Sequence, residues 1–189
     1  AAALAAFGSI DVWINNAGIG MASAVEATPD GVIRELFETN TFGVFEACRQ
    51  IIPLMRRQGH GTIVNVTSSV TIGVMPLVAA YAASKFAVEG FTESLAYELA
   101  SFNIKARLVE PGYGPSTNFT ANGGARMQGL IPEDYAAFAG AAFARMADEG
   151  KVRWEDYPAF KWCRDLGEGW YLPAINEVLR IGHLYNNAR

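Results

Sequence analysis

The alternation of short apolar segments with long helical ones constrains the fold of this sequence more than any other feature. Three segments are rich in apolar and β-branched residues and end in turn-forming or polar residues: SIDVWINNAG (9–18), TIVNVTSS (62–69) and IKARLVEPG (104–112). Patterns with helical spacing lie between them, over about 29–57 and 80–101. Strands that alternate with helices and are apolar on both faces predict a parallel sheet covered on both sides, which is α/β architecture.

The ends of the helical segments carry their own signals. The opening AAALAAFG is Ala-rich and ends in Gly8, which is typical of the last turns of a helix and its C-terminal stop. Thr28 is the expected N-cap of the next helix, and Pro29 its first residue. Because sites in parallel sheets lie beyond the carboxyl ends of the strands, we expect Asn-Asn-Ala-Gly, Thr-Ser-Ser and Pro-Gly to meet at one rim.

Composition excludes several classes of function. The 189 residues are 51% hydrophobic, which suffices for one globular domain, and the net charge of -4 with no basic run argues against nucleic-acid or anionic-membrane binding. Cys48 and Cys163 are far apart, and His60 and His183 stand alone, so we predict neither a disulfide framework nor a metal site. The same cysteine usage favours a reducing cytoplasm, and the apolar opening is too short to span a bilayer.

The segment YAASK (81–85) places a phenol and an ammonium one helical turn apart. An isolated pair of this kind is usually a surface tyrosine beside a solvated lysine, but here it follows a predicted strand and turn. A lysine four residues from a tyrosine on a helix lies within range to favour the phenolate. The spacing therefore predicts a lowered pKa for Tyr81, which would suit it to proton transfer near neutral pH.

Five motifs occur in the order found in short-chain dehydrogenases/reductases, and the chain resembles that family over roughly residues 1–145. The motifs are NNAG at 15–18, TNTFGVF around Asn40, GTIVNVTSS at 61–69, YAASK at 81–85 and PG at 111–112. The resemblance implies a Rossmann-type doubly wound parallel sheet that binds NAD or NADP. It also implies hydride transfer between the nicotinamide and a carbonyl or secondary alcohol.

The resemblance assigns catalytic roles to residues of this sequence. Tyr81 would be the acid in reduction and the base in oxidation, and Lys85 would assist it and bind the nicotinamide ribose. Ser68 would orient the substrate carbonyl, with Ser69 as the fallback. Asn40 would help to hold a proton-relaying water, although a satisfied buried amide is an equal reading of this residue alone.

The resemblance also implies contacts with the cofactor. The first Asn-Asn-Ala-Gly turn would flank its ribose, although the same residues also suit a simple turn. After the third strand, a proline and a glycine would lie near the nicotinamide, and Ser116 or Thr117 would contact the carboxamide. The implied cofactor-binding residues are Asn15, Asn16, Ala17, Gly18, Tyr81, Lys85, Pro111, Gly112 and Thr117.

The family's Gly-rich phosphate-binding loop has no counterpart in the sequence. That loop binds the pyrophosphate through backbone N–H groups and a helix N-terminus. We therefore expect the chain to lack the family's first strands, to bind a dinucleotide weakly and to show little or no turnover. The choice between NAD and NADP cannot be read from these residues.

Two further expectations concern partners. The segment 113–146 lies where the family's substrate lid falls, and its apolar side chains suggest a small hydrophobic carbonyl or alcohol substrate; they are Phe119, Met127, Leu130, Tyr135, Phe138, Phe143 and Met146. The helices near 29–57 and 80–101 resemble those of the family's dimer interface and carry more apolar residues than one buried face needs. They predict a homodimer or homotetramer.

The composition changes from about residue 148, where three of the four tryptophans follow in a short stretch. We therefore divide the chain into a partial Rossmann-like domain (1–147) and a Trp-rich extension (148–189). Within the extension, WCRDLGEGWYLPAINEV (162–178) resembles a motif of bacterial surface proteins with a C-type-lectin-like fold. Two alternatives to an enzyme stay open: a non-enzymatic remnant, and a binding or interaction module that acts through the extension.

Overall fold

The computed structural model describes residues 2–112 and 118–148. Their centre is a three-stranded sheet in the order β1 (Val12–Asn15), β2 (Gly61–Val66) and β3 (Ile104–Val109), in which both neighbouring pairs are parallel. Helices connect the strands. This arrangement confirms the predicted α/β fold class.

The helices lie close to the predicted ranges. In the described part of the chain they are α1 (Ala2–Phe7), α2 (Asp30–Phe37), α3 (Gly43–Gln58), α4 (Ala79–Leu99), α5 (Phe119–Gly124) and α6 (Ala136–Asp148). A π-helical segment, Glu38–Phe42, joins α2 directly to α3, so that the predicted helix near 29–57 is one continuous helical stretch. Among the described residues, no helix has both the length and the apolar character needed to cross a membrane.

The helix ends follow the predicted chemistry in one case and depart from it in another. Gly8 has a φ of 77° and donates its N–H to the carbonyl of Leu4 at 2.9 Å, which ends α1 as predicted. The predicted N-cap at Thr28 is wrong, because its hydroxyl donates to the carbonyl of Ala24 at 2.7 Å. Pro29 occupies the N-cap position and offers no side-chain acceptor, so α2 begins without a side-chain cap.

One face of the sheet packs against α3 and α4 and forms the main hydrophobic core. Its buried members are Val44, Cys48, Ile51, Met55, Ile63, Val88, Leu95, Leu99 and Ile104. They come from both helices and from β2 and β3, so their burial holds the helices to the sheet.

The opposite face of the sheet is largely open among the described residues, which differs from the predicted covering on both sides. Val12 and Ile14 of β1 are 54% and 59% exposed, and Lys105 and Arg107 of β3 are exposed too. In β3 these basic residues alternate with buried ones, a pattern typical of a strand with one solvated face. The apolar residues at most positions of β1 and β2 conceal this arrangement in the sequence.

A buried polar network lies within the packed face. The Asn15 amide donates to the Asn65 side-chain oxygen at 2.8 Å, and the Asn65 amide donates to the Thr92 hydroxyl at 2.8 Å. Asn15 also bonds to the sulfur of Cys48 at 3.4 Å. Because β1, β2, α3 and α4 each contribute one member, the network ties the sheet to both helices.

The predicted extension 148–189 lies outside the described residues, except for Asp148 at its start. The segment with the C-type-lectin-like motif (162–178) and Cys163 fall there as well.

Candidate active site

The segments that follow the three strands and the first turns of α4 meet at one edge of the sheet. The chain leaves β1 toward Gly18, β2 toward Ser68 and β3 toward Pro111, and α4 carries Tyr81 and Lys85. This is the edge at which parallel sheets place their sites. A second hydrophobic cluster packs around it and contains Met21, Leu36, Val70, Val78, Tyr81, Ala82 and Leu130.

The side chains of Tyr81 and Ser68 lie close together, so that the Ser68 hydroxyl acts on the pKa of the Tyr81 phenol. Tyr81 is only 7% exposed. Burial raises the pKa of Tyr81 above its ordinary value, and the neighbouring Ser68 hydroxyl acts in the opposite direction. The lowered pKa expected from the Tyr–Lys spacing is therefore not found, because loss of hydration of the phenolate is the larger effect.

Lys85 is 4% exposed, and its Nζ donates to the carbonyl oxygen of Val66 at 3.1 Å. The same Nζ lies 6.0 Å from the centroid of the Tyr81 ring. Burial lowers the pKa of Lys85 to about 8, because the ammonium loses hydration. A cation is thus held beside the phenol, and its charge is sensitive to small changes in its surroundings.

Asn40 lies within the π-helical segment and is fully buried. Its Oδ1 accepts from the N–H of Ile19 at 2.8 Å, and its Nδ2 donates to the carbonyl of Ile19 at 2.9 Å and to the Ser84 hydroxyl at 3.2 Å. The side chain therefore clamps the loop after β1 to α4. Such π-helical turns often occur at functional sites.

Gly18 provides the space in which these groups meet. A Cβ at this position would lie 3.3 Å from the Oδ1 of Asn40 and 3.3 Å from the Nζ of Lys85. Glycine is therefore favoured here by the close approach of these two side chains, and not by a left-handed backbone.

The other residues predicted to contact the cofactor differ in how far they are buried. The Asn15 side chain belongs to the buried network and also accepts from Trp13 Nε1 at 2.8 Å. Asn16, Ala17, Pro111 and Gly112 are exposed at the sheet edge. Thr117 and its alternative Ser116 lie outside the described residues.

Ser84 is a buried site residue that the sequence analysis missed. Its hydroxyl donates to the Tyr81 carbonyl at 2.7 Å and accepts from Asn40, and its own carbonyl accepts from Thr41 at 3.0 Å. The available signal was a serine three residues after Tyr81, on the same face of an otherwise Ala-rich turn. Ser84 thus joins the helix that carries Tyr81 and Lys85 to the π-helical segment.

Phe119, at the start of α5, covers this edge of the site. Its ring centroid lies 6.1 Å from that of Tyr81, and a Cβ at Gly20 would come within 2.7 Å of its ring. Farther along, the backbone N–H of Ala22 lies 3.1 Å from the sulfur of Met127. Part of the segment predicted as a substrate lid therefore packs against the loop after β1.

In the part of the chain that the structure describes, the acidic and histidine side chains form no cluster of the kind that binds a metal. His60 pairs with Asp11 at 2.9 Å on the surface, at the opposite end of the strands. Within residues 2–112 and 118–148, no group of three or more His, Cys, Asp or Glu side chains could hold a metal ion.

Together these features define an α/β protein in which a tyrosine, a serine and a lysine gather at the carboxyl edge of its parallel sheet. The family model for short chain dehydrogenases matches residues 1–127. The chain belongs to that family.

Individual relatives agree with this assignment. A 3-ketodihydrosphingosine reductase of Bacteroides thetaiotaomicron is 41% identical over 129 residues, which are 68% of this chain and 48% of the relative. A solved short-chain dehydrogenase from Streptomyces avermitilis is 35% identical with a TM-score of 0.61, over 72% of this chain and 49% of that one. A 3-ketoacyl-(acyl-carrier-protein) reductase from Brucella melitensis, complexed with NADH, is 33% identical with a TM-score of 0.58, over 60% and 49%. The chain spans about half the length of the curated relatives it matches.

Proposed function

We propose that this chain belongs to an NAD(P)-dependent oxidoreductase that interconverts a carbonyl group and a secondary alcohol. The observation that carries the proposal is the proximity of the Tyr81 and Ser68 side chains, with the Lys85 ammonium buried beside them. The relative from Brucella melitensis was solved with NADH, which supports a nicotinamide cofactor.

The cofactor would supply or accept the hydride, and the residues of this chain would handle the proton. Tyr81 gives its hydroxyl proton to the carbonyl oxygen in reduction and takes a proton from the alcohol in oxidation. Ser68 donates a hydrogen bond to the same oxygen, where negative charge develops. The Lys85 ammonium stabilises the phenolate, and Asn40 maintains the loop that borders it.

The hydrogen-bond donors of the Lys85 ammonium suit the ribose hydroxyls of a dinucleotide. The Lys85 ammonium has three N–H donors, of which the carbonyl of Val66 takes one, so the others can reach ribose hydroxyls. The sequence contains no Gly-rich turn opening a helix for the pyrophosphate. Immobilising a dinucleotide costs several kcal/mol, so we expect affinity for NADH or NADPH of about 1 mM at best in this chain and little turnover.

A hydrophobic ketone or secondary alcohol is the substrate class that the site suits best. The Phe119 ring borders Tyr81. The relative named as a 3-ketodihydrosphingosine reductase supports a lipid-like ketone.

The widely spaced cysteines suit a reducing compartment, and we propose that the protein is cytoplasmic.

Nuclear magnetic resonance titration with NADH and NADPH tests the proposal on the full 189-residue chain. We expect chemical-shift changes at Gly18, Tyr81 and Lys85 that approach saturation only at millimolar cofactor. Lys85→Met should abolish them, whereas Lys105→Met, which removes an exposed lysine of β3, should leave them intact. Equal shifts in Lys85→Met would refute the role of Lys85 in binding the cofactor. No shifts in the wild type would refute cofactor binding and favour a non-enzymatic remnant or binding module.

A further inference from the structure

The backbone just before α4 adopts a conformation that its side chain disfavours. Leu77 has a φ of 62°, and in the described residues only Asn103, at 55°, is another non-glycine residue with a positive φ. Left-handed backbone brings Cβ close to the following carbonyl oxygen, so bulky residues rarely adopt it, whereas asparagine tolerates it. Among the described residues, the Leu77 side chain belongs to neither hydrophobic cluster, so core packing does not account for this backbone.

Hydrogen bonds fix the chain at Leu77 and directly after it. The Leu77 carbonyl accepts from the N–H of Ser23 at 2.7 Å, and Ser23, in the loop after β1, is 4% exposed. The carbonyl of Val78 accepts from the N–H of Ala82 at 2.7 Å, which is the first bond of α4. Val78 is itself 7% exposed within the second hydrophobic cluster. Relaxation of Leu77 would leave the buried Ser23 N–H without its acceptor, so this bond maintains the left-handed backbone.

The left-handed residue lies on the connection between two residues of the site. The chain leaves Ser68, makes the short turn Ser69–Thr71 and then reaches Leu77. Tyr81 follows four residues later, in the first turn of α4. No side chain caps the start of this helix, so the backbone of residues 77 and 78 sets the direction in which it begins. A change to a negative φ at Leu77 would therefore turn the start of α4 and move Tyr81 relative to Ser68.

We propose that Leu77 is a positioning residue, whose left-handed backbone, fixed by Ser23, directs the first turn of α4 so that Tyr81 is held in the site. Leu77 acts through Tyr81, and its functional consequence rests on the proposed function, in which Tyr81 transfers the proton. The same strain makes the start of α4 a place where the site opens. Detachment lets Leu77 take a negative φ, so the shape of the side chain at this position determines how often Tyr81 leaves the site.

Hydrogen exchange, measured by nuclear magnetic resonance on the full chain, reports this opening. The Ser23 amide is protected by the Leu77 carbonyl, and the Ala82 amide by the next carbonyl. Leu77→Ile keeps the volume of the side chain but adds a β-branch, for which a positive φ is still less favourable. We expect protection at both amides to fall about tenfold in this variant. Leu77→Asn introduces a residue that tolerates the left-handed backbone, and protection at both should rise about threefold.

Leu108→Ile is the matched control for the change of branching. Leu108 is also half-buried, but it lies in β3, where a β-branched side chain is favoured, so protection at Ser23 and Ala82 should not change. The Thr67 amide, which is bonded to the end of β3 at 2.8 Å, monitors general loss of stability and should change much less in Leu77→Ile. Equal protection at Ser23 in the wild type and both Leu77 variants would overturn the proposal.

Chemical modification of Tyr81 separates positioning from a merely structural role. Tyr81 is 7% exposed, whereas Tyr97, farther along the same helix, is 86% exposed. Nitration by tetranitromethane, located by peptide mass spectrometry, should therefore be slow at Tyr81 and fast at Tyr97. In Leu77→Ile the rate at Tyr81 should rise by the same factor by which amide protection falls, with no change at Tyr97. An unchanged rate at Tyr81 would show that Leu77 does not position it.

These measurements need no cofactor and therefore fail independently of the proposed function. If exchange and nitration change as expected and NADH produces no shifts in the wild type, the role of Leu77 stands and the oxidoreductase assignment falls. If NADH binds while exchange and nitration are equal in all variants, the oxidoreductase assignment stands and the role of Leu77 falls.

Discussion

At the scale of single residues, Lys85 combines a positive charge with nearly complete burial, and this combination predicts how stability changes with pH. The unfolded lysine keeps its proton up to about pH 10.5, whereas the folded one releases it near pH 8. Between these values the unfolded state binds more protons, so the free energy of unfolding rises with pH. We expect a rise of up to about 3 kcal/mol relative to Lys85→Met, measured by urea denaturation at pH 8 and pH 10.5. Parallel pH profiles for the two proteins would show that Lys85 is hydrated in solution.

Gly18 and Gly90 form a matched pair for testing the close approach at the site. Gly18→Ala places a methyl group 3.3 Å from both Asn40 and Lys85, and overpacking of this kind should cost about 1–2 kcal/mol of unfolding free energy. Gly90 is exposed within α4, and a Cβ there meets nothing within 4 Å. Gly90→Ala should therefore stabilise the protein by about 0.5–1 kcal/mol through helix propensity. Denaturation curves that move in the same direction for both variants would contradict this account of Gly18.

Sequence spacing identified which residues gather at the site, but it could not assign their electrostatics. A tyrosine and lysine four positions apart on a helix must share a face, and this rule brings Tyr81 and Lys85 to one edge. The direction in which the pKa of Tyr81 shifts depends on how deeply the ring is buried, and sequence spacing does not determine that burial. Likewise, two partners of Asn15 come from β2 and α3, so its place in the polar network could not be predicted from the turn that contains it.

At the scale of elements, the sheet should tolerate substitutions on one face and not on the other. Ile63 is fully buried against α3 and α4, so Ile63→Ala should cost about 3–4 kcal/mol. Ile14 is 59% exposed on the opposite face, so Ile14→Ala should cost less than about 1 kcal/mol. Urea denaturation of both variants measures the difference. An equally large loss in Ile14→Ala would show that the second face is covered in solution.

The order and type of the elements could be predicted from the sequence, but the way in which they pack against one another could not. Each predicted strand and each long helix is present in the described residues, because hydrophobic period and turn residues are local signals. Whether one face of a strand is covered or both depends on elements distant in sequence, and the apolar sequence of β1 suits either arrangement. The π-helical segment around Asn40 was also not predicted, because the apolar pattern indicates a helix without specifying its turn type.

At the scale of the whole molecule, the outer surfaces of α3 and α4 predict self-association. Phe42 is 51% exposed beside Phe45, whose ring stacks on Phe91 at 4.2 Å, and Tyr97 is 86% exposed. Exposed aromatic groups of this kind mark interaction surfaces. We expect light scattering to report a homodimer or larger species at micromolar concentration, and Phe42→Glu to shift it toward the monomer. A monomeric wild type would contradict the prediction.

The buried amide network also determines how the parallel strands can be aligned. A slip of two residues between β1 and β2 keeps every side chain on its original face, so the hydrophobic pattern alone does not prevent it. Asn15 and Asn65 are direct neighbours across the two strands, and their amides bond only in this alignment. After such a slip the hydrogen bond between Asn15 and Asn65 would be lost, at a cost of about 1–3 kcal/mol. The pair thus selects one alignment among those the hydrophobic pattern permits, and with it the distance from Gly18 to Lys85.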